Sequence, residues 1–529
     1  MAEITAWKRQ TGEVRPWFAR QAIRHNAALT QAWLTPLGKP VLILSDYQEA
    51  QDIFLRRGKE FHRGPRNCDA FHGSIPEHHI AMMSSDPRFK RNKELVRDLM
   101  TPGFLHEVSA PGIYAKSLIL VELWALKSQL AQGKPFNALA DIFNAATDMI
   151  NAAAFAFGSD MSAIKAQLDH IRSCSSPETI QASSFPVDAS GAVQFPTVPE
   201  LPDISACRDV AEHVGVLFNA LMPRLEDRWK MLTNRRLKKS VKRKDEMIRR
   251  EIEKSLARME SGDGAMLSAV DHLLQREKAA ATKADRNPDF HSRKIYDELL
   301  GYIVAGHETS ATALAWTIKL IASHQHVQER LRMALRTAYA SAAAEERVPM
   351  VSEITTASAP YLDAVIEESL RYAPPIPLLI RSAKVDTTLL GHHVPMGTTV
   401  FMPAVGPSYT APAVPVRECD RSESSRTKGW GGRWDEEDMH LFQPDRWLKV
   451  DENGKERFHS QAGPMITFGL GLRSCFGKRL AYLEVRIMLA LLVWNFRFKE
   501  IEGRLASNEA NEAITTSPKF CYVALETLC

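Results

Sequence analysis

The sequence predicts a mainly α-helical fold with a small β-subdomain. Three observations lead there. Helical spacing of apolar residues dominates from about residue 86 to 371. Two β-prone runs flank Gly391 in VDTTLLGHHVPMGTTVFM. A last helical pattern, LAYLEVRIMLALLVW, follows a glycine-bracketed cysteine near the C-terminus.

In chain order, GKPVLILSD (38–46) reads as a short buried strand, and YQEAQDIFLRRG after it as a helix capped by Ser45 or Asp46. The helical region is interrupted by the Pro- and Ser-rich stretches SSPETIQASSFP and QFPTVPELPD. NRRLKKSVKRKDEMIRR (234–250) carries nine basic residues against two acidic. It reads as a solvated helix face, with nuclear import or an anionic surface as the sharper alternative. VRECDRSESSRTKGWGGRW (416–434) reads as a mobile surface loop without chemistry. The final helix places Leu480, Leu483, Ile487, Met488, Leu491 and Leu492 on one buried stripe. No internal repeat is present.

Composition excludes several function classes. With 45% hydrophobic and 25% charged residues the 529-residue chain is globular, not disordered. A net charge of +4 is too small for nucleic-acid binding unless basic residues concentrate on one face. The seven cysteines (Cys68, Cys174, Cys207, Cys419, Cys475, Cys521, Cys529) are odd in number and scattered, and none forms a C-x-x-C pair, which fits a reduced, intracellular protein. The opening MAEITAWKRQTGEVRPWFARQ lacks the apolar core of a signal peptide, and no uncharged apolar run approaches a membrane span. Trp7, Val14, Trp17, Phe18 and Ile23, interleaved with basic residues, either lie on a membrane surface or pack onto the domain; composition favours packing.

Chemistry concentrates in FGLGLRSCFGKRLAYLE, where Phe468, Gly471, Arg473, Cys475 and Gly477 fall in the order F-x-x-G-x-R-x-C-x-G. Average residue frequencies give that pattern by chance in about one chain in ten thousand of this length. Glycines on both sides let the backbone turn tightly around the sulfur and approach a flat ligand, because glycine tolerates positive φ. The N-terminus of the following helix favours an ionised thiolate. The other six cysteines read as inert side chains. Upstream, LLGYIVAGHETSATALAW interrupts an apolar helix with Gly306, His307, Glu308, Thr309 and Ser310. There a threonine can bond the carbonyl four residues back and open the helical ladder, while Gly306 leaves room for a ligand. Between the two segments lie Glu368 and Arg371, three apart on one helix, and FQPDRW (442–447).

These ordered motifs closely resemble those of the cytochrome P450 family, in its eukaryotic, fungal microsomal type, over roughly residues 38–529, with residues 1–37 as an N-terminal segment lacking a transmembrane anchor. The resemblance implies the P450 fold as a single domain and haem b as cofactor, with Cys475 as the axial thiolate that donates electron density to iron. It places Arg473 on a haem propionate and Phe468 beside the sulfur. It gives Glu308 and Thr309 the delivery of protons for dioxygen activation. Glu368, Arg371 and Arg446 become a structural charge network. Arg381 and, less directly, Arg97 become further propionate partners, although the tryptophan that family members carry four residues before that arginine is Lys93 here. Lys90, Arg91, Lys93, Lys478 and Arg479 form a basic rim suited to an acidic electron donor. The implied activity is insertion of one oxygen atom into a medium-sized hydrophobic substrate, in secondary metabolism, at the endoplasmic-reticulum surface or in the cytoplasm. Dioxygen is the oxidant, and a separate NADPH-cytochrome P450 reductase supplies electrons. A haem-thiolate isomerase or peroxygenase and a non-catalytic haem sensor are the alternatives. The substrate cavity is expected around residues 71–83, 180–202, 304–310, 376–379 and 514–517.

Overall fold

The computed structural model describes residues 2–34, 38–158, 161–175, 185–220, 222–261, 266–429, 434 and 436–528. Its helical body centres on four helices: α5 (Ala110–Ala131), α6 (Leu139–Phe155), α10 (Arg293–Ser323) and α12 (Lys478–Asn495). Helix α10 runs against α6 and α12, and α12 against α5. Around them lie α1 (Ala2–Thr11), α2 (Arg15–His25), α3 (Tyr47–Leu55), α4 (Pro87–Leu95), α7 (Pro202–Asn219), α8 (Pro223–Thr233), α9 (Arg235–Glu260) and α11 (Pro360–Tyr372).

Gly306 shows how the helical core is set. A Cβ there would lie 2.5 Å from Ile150 Cδ1 of α6, so the glycine makes room for helix packing; it also lines the cavity described below, as its sequence context implied. Helix α12 carries more than the expected stripe. Val485, Leu489, Ala490, Val493 and Trp494 are buried as well, as befits a helix enclosed on all sides.

The main sheet contains β1 (Leu29–Ala32), β2 (Val41–Leu44), β3 (Phe61–His62), β4 (Leu378–Ala383) and β5 (Thr399–Pro403), in the order β1-β2-β5-β4-β3. Only β2 and β5 run parallel, with Ile43 opposite Phe401. The strand and helix expected at 38–57 are present, and Asp46 is the cap, its carboxylate accepting the Glu49 N–H at 2.8 Å. Residues 29–32 add an edge strand to this sheet, so the N-terminal segment packs with the rest. Trp17 and Phe18 are buried against Val41, Ile43 and Phe401, which favours the packing reading over a membrane face for those two residues.

Two surface expectations resolve differently. The basic run at 234–250 lies on α9, whose Met247, Ile248 and Ile252 are buried. Arg243 and Arg250 of its polar face pair with Asp203, and Arg236 with Asp209, so the stretch is a helix face with local counter-ions. The stretch 416–434 is not a bare loop. It holds a short helix, Glu423–Lys428, tied to α3 through Ser422 and Ser424 on Asp52, and Arg421 grips Asp46. Residues 430–433 of it lie outside the described residues.

Candidate active site

The cysteine loop is closed by backbone bonds: the Cys475 N–H donates to Phe468 O at 2.7 Å, and the Ser474 N–H to Gly471 O at 3.0 Å. Two glycines adopt positive φ, Gly469 at 60° and Gly471 at 68°, and a Cβ on Gly471 would lie 2.4 Å from Phe54 O. Gly477 follows only part of the expectation made for it: it lines the cavity onto which the sulfur opens, but it needs no positive φ. Its φ is −79° and open space surrounds its Cα, so it serves as the residue just before α12. The Cys475 sulfur is accessible from a cavity of about 700 Å³ that Thr309, Phe468 and Arg473 also line. Burial pushes the thiol pKa up, opposed by the N–H groups of Gly477 and Lys478 and by the Lys478 charge. Backbone N–H groups at the start of α12 thus act on the thiol in the expected direction, favouring its ionised form.

One end of the cavity is cationic. Arg63, Arg66, Lys93, Arg381 and Arg473 all line it. Burial, then repulsion from Arg63, holds Arg473 down to about 9; burial, then Arg63 and Arg473, brings Arg381 to about 9. Among the described residues Arg63, Arg381 and Arg473 have no salt bridge, and Arg473 Nη1 and Arg63 Nε are buried without hydrogen-bond partners. Buried guanidiniums facing one another without a carboxylate are costly unless an anion joins them. Sequence reasoning found Arg381 and Arg473 but missed Arg63 and Arg66, for which no motif was at hand. Arg97 is not at this end: it is 60% exposed and pairs with Glu94 at 2.6 Å. Its neighbour Lys93, standing where tryptophan was expected, does line the cavity, with Nζ 3.3 Å from Leu472 O.

Thr309 lies on α10 with its hydroxyl donating to Ala305 O at 2.7 Å, as expected, yet the helix continues unbroken through it. Glu308, next along, is turned towards Thr515, which donates to its Oε1 at 2.7 Å; Thr312 donates to Thr515 at 3.2 Å, and Arg15 of α2 faces the same carboxylate. The structure thus brings Thr309 and Cys475 to one cavity and sets Glu308 beside its wall. Phe468 touches the sulfur's residue through its backbone, while its ring packs on Tyr482 at 5.3 Å.

Behind the cavity, Glu368 and Arg371 on α11 are fully buried and bidentate, at 2.7 and 2.8 Å. The same carboxylate accepts from Arg446 Nε at 3.1 Å, Trp447 Nε1 at 2.8 Å and Gln443 N at 2.8 Å. The FQPDRW turn and α11 are locked together by this one residue. Trp434 lies over Arg371 and Arg446, so part of the supposed loop covers the network.

Of the expected lining, Phe71, His78, Ile80, Ala305, Ile376, Leu379 and Ile514 face the cavity. Residues 176–184 lie outside the described residues, and Val193 bonds to the chain at Pro135 instead. A thiol at one face, cations without counter-ions at one end and apolar walls fit a flat metal-bearing ligand with two anionic arms, which is what a haem presents.

Comparison with known proteins agrees. The cytochrome P450 family model matches residues 202–409 and 437–523. Among curated relatives, the cytochrome P450 monooxygenase TRI13 of Fusarium sporotrichioides is 33% identical over 532 residues, covering 96% of this chain and 89% of that protein. The cytochrome P450 monooxygenase xilC of Penicillium rubens is 33% identical over 514 residues, covering 97% and 87%. A solved cytochrome P450 (CYP102L1) shares the fold with a TM-score of 0.69 at 17% identity, over 98% of this chain and 95% of that one. The chain therefore belongs to the cytochrome P450 family and is a monooxygenase with a thiolate-ligated haem.

Proposed function

We propose that Cys475 would supply the thiolate ligand of the haem iron and that Arg473, Arg381, Arg63 and Lys93 would hold the propionates. The observation that carries this is that the cysteine sulfur, the unpaired cations and Thr309 share one cavity. When bound, the haem supplies the oxygen-activating chemistry. The chain's own residues do the rest. The N–H groups of Gly477 and Lys478 and the Lys478 charge favour the ionised sulfur against burial. The apolar walls exclude water. The Thr309 hydroxyl gives its proton to Ala305 O and turns an oxygen lone pair to the cavity, where it can accept a hydrogen bond. Glu308, bonded to Thr515 and facing Arg15, is the ionisable group behind it.

As a monooxygenase the protein uses dioxygen and a small organic substrate. Phe71, Ile80, Phe218, Ile376, Leu379 and Ile514 suit a medium-sized hydrophobic one. One relative, 41% identical over 310 residues, is named for the Hps1-dma1 cluster of Dothistroma septosporum, which supports a role in secondary metabolism. Electrons come from a separate NADPH-cytochrome P450 reductase. Lys90, Arg91, Lys478 and Arg479 are exposed on the thiolate side and suit an acidic donor. Among the described residues no helix is long and apolar enough to cross a membrane. Peripheral contact with the endoplasmic-reticulum surface is best supported at α8, where Leu225, Trp229 and Leu232 are 53%, 63% and 73% exposed beside Arg224, Arg228 and Lys230.

Thr309→Ala tests the assignment. With reductase, NADPH and a turned-over substrate, the variant should divert electrons from product into hydrogen peroxide. Undiminished coupling would contradict the role given to Thr309.

A further inference from the structure

With Arg97 turned outward, a different group occupies the cationic end of the cavity. His79 sits on the turn His79–Ala81, before α4. Its backbone N–H donates to Glu298 Oε1 at 2.8 Å, and its Nδ1 lies 2.7 Å from Glu298 Oε2. One carboxylate of α10 therefore fixes both the chain and the ring. The ring stacks on His78 with centroids 4.2 Å apart and stands edge-on to Phe476, the residue after Cys475, at 5.7 Å. His78 is consumed by the same cluster, its Nε2 3.3 Å from Glu298 and its Nδ1 accepting the Ile80 N–H, so these three residues form a closed hydrogen-bond set with one outlet. That outlet is His79 Nε2, which has no protein partner among the described residues, on a residue that lines the cavity. The charges it faces are Arg473, Lys93 and Arg63, the cations proposed above for the propionates.

We infer that His79 is a haem-propionate ligand of this chain, donating from Nε2 to a propionate oxygen while Glu298 clamps its Nδ1 to the long helix. The inference rests on the haem reading above. A proton on Nε2 requires Glu298 or Nδ1 to share the other one. Burial raises Glu298 to about 7, so its carboxyl can keep a proton and donate it to Nδ1. Glutamine at 298 keeps the donor to His79 Nδ1, because its amide N–H also donates there, and gives up only the acceptor that His78 Nε2 has on the same oxygen.

The test is the rate at which haem passes from the loaded full-length protein to excess apomyoglobin. His79→Phe keeps the ring packing and loses the donor; His79→Gln keeps a donor and loses the ring. A hydrogen bond to a charged group predicts haem loss about tenfold faster in His79→Phe. It predicts near wild-type loss in His79→Gln, Glu298→Gln and Arg97→Ala. Wild-type retention in His79→Phe, or faster loss in His79→Gln than in His79→Phe, would mean a packing role and overturn the inference. Neither outcome would touch the Cys475 assignment, which the thiolate band of the wild-type protein reports separately. A wild-type protein that takes up no haem overturns both.

Discussion

Glu484 shows how much one buried group decides. It lies on α12 and accepts from Ser310 at 2.5 Å through one oxygen, while Oε1 is buried without a partner. Burial raises its pKa to about 8. A carboxyl whose folded pKa is raised above its unfolded value near 4.5 costs nothing below that pH. Stability then falls as pH rises towards 8, because only the unfolded chain gains by ionising. Glu298 and Glu367, raised to about 7, act in the same direction. Denaturant unfolding should therefore show declining stability between pH 7 and pH 8; nearer pH 5 the trend is offset by His78 and His79, which burial holds neutral down to about 3, so that stability rises as the unfolded imidazoles lose their protons. Glu484→Gln, which keeps the Ser310 bond, should flatten the decline by a few kcal/mol at most. An unchanged slope would mean that Glu484 ionises freely in the fold. The cysteine loop offers a second contrast at this scale. Gly471→Ala places a Cβ at φ 68° and 2.4 Å from Phe54 O, and should cost roughly 2 kcal/mol or more. Gly477→Ala, at φ −79° in open space, should be near neutral, a difference that melting temperatures resolve.

At the scale of elements, the helical core is set by where side chains are missing. Gly306→Ala drives a Cβ into Ile150, and Gly301→Ala drives one into the His78 ring at 2.2 Å. The first should destabilise by about 1–3 kcal/mol and be substantially rescued by Ile150→Val or Ile150→Ala, since the cost is overpacking between α10 and α6. An additive double mutant would place the strain elsewhere. Both glycines were visible in the sequence, but their partners were not, because a sequence gives the gap and only the fold gives what fills it. The same holds for Glu308. Its motif was legible, while its turn towards Thr515, more than two hundred residues away, depends on the C-terminal hairpin against α10.

Across the whole molecule, Glu368 joins α11 to the FQPDRW turn and through Arg371 to the carbonyls of Tyr409, Met439 and Leu441. Glu368→Gln leaves a buried guanidinium short of its counter-ion and should cost about 3–5 kcal/mol, enough to remove folded protein. A soluble, haem-loaded variant would show the network to be dispensable. Fold class, the strand–helix opening and the glycine-bracketed cysteine loop were readable from residue spacing because each is local, whereas this charge network was readable only through the family resemblance of its ordered motifs. Arg63, Arg66 and His79 were not, since their meeting with Arg473 depends on three separate turns converging on one cavity. Arg97 misled because its motif is local while its orientation depends on the turn after α4, where it pairs with Glu94. The proposal on which the others rest is Cys475 as the haem ligand. Carbon monoxide difference spectroscopy of the reduced protein tests that most directly. The account predicts a red-shifted thiolate band in the wild type that disappears in Cys475→Ala. Absence of the band from the wild type, or its persistence in the variant, would contradict the account.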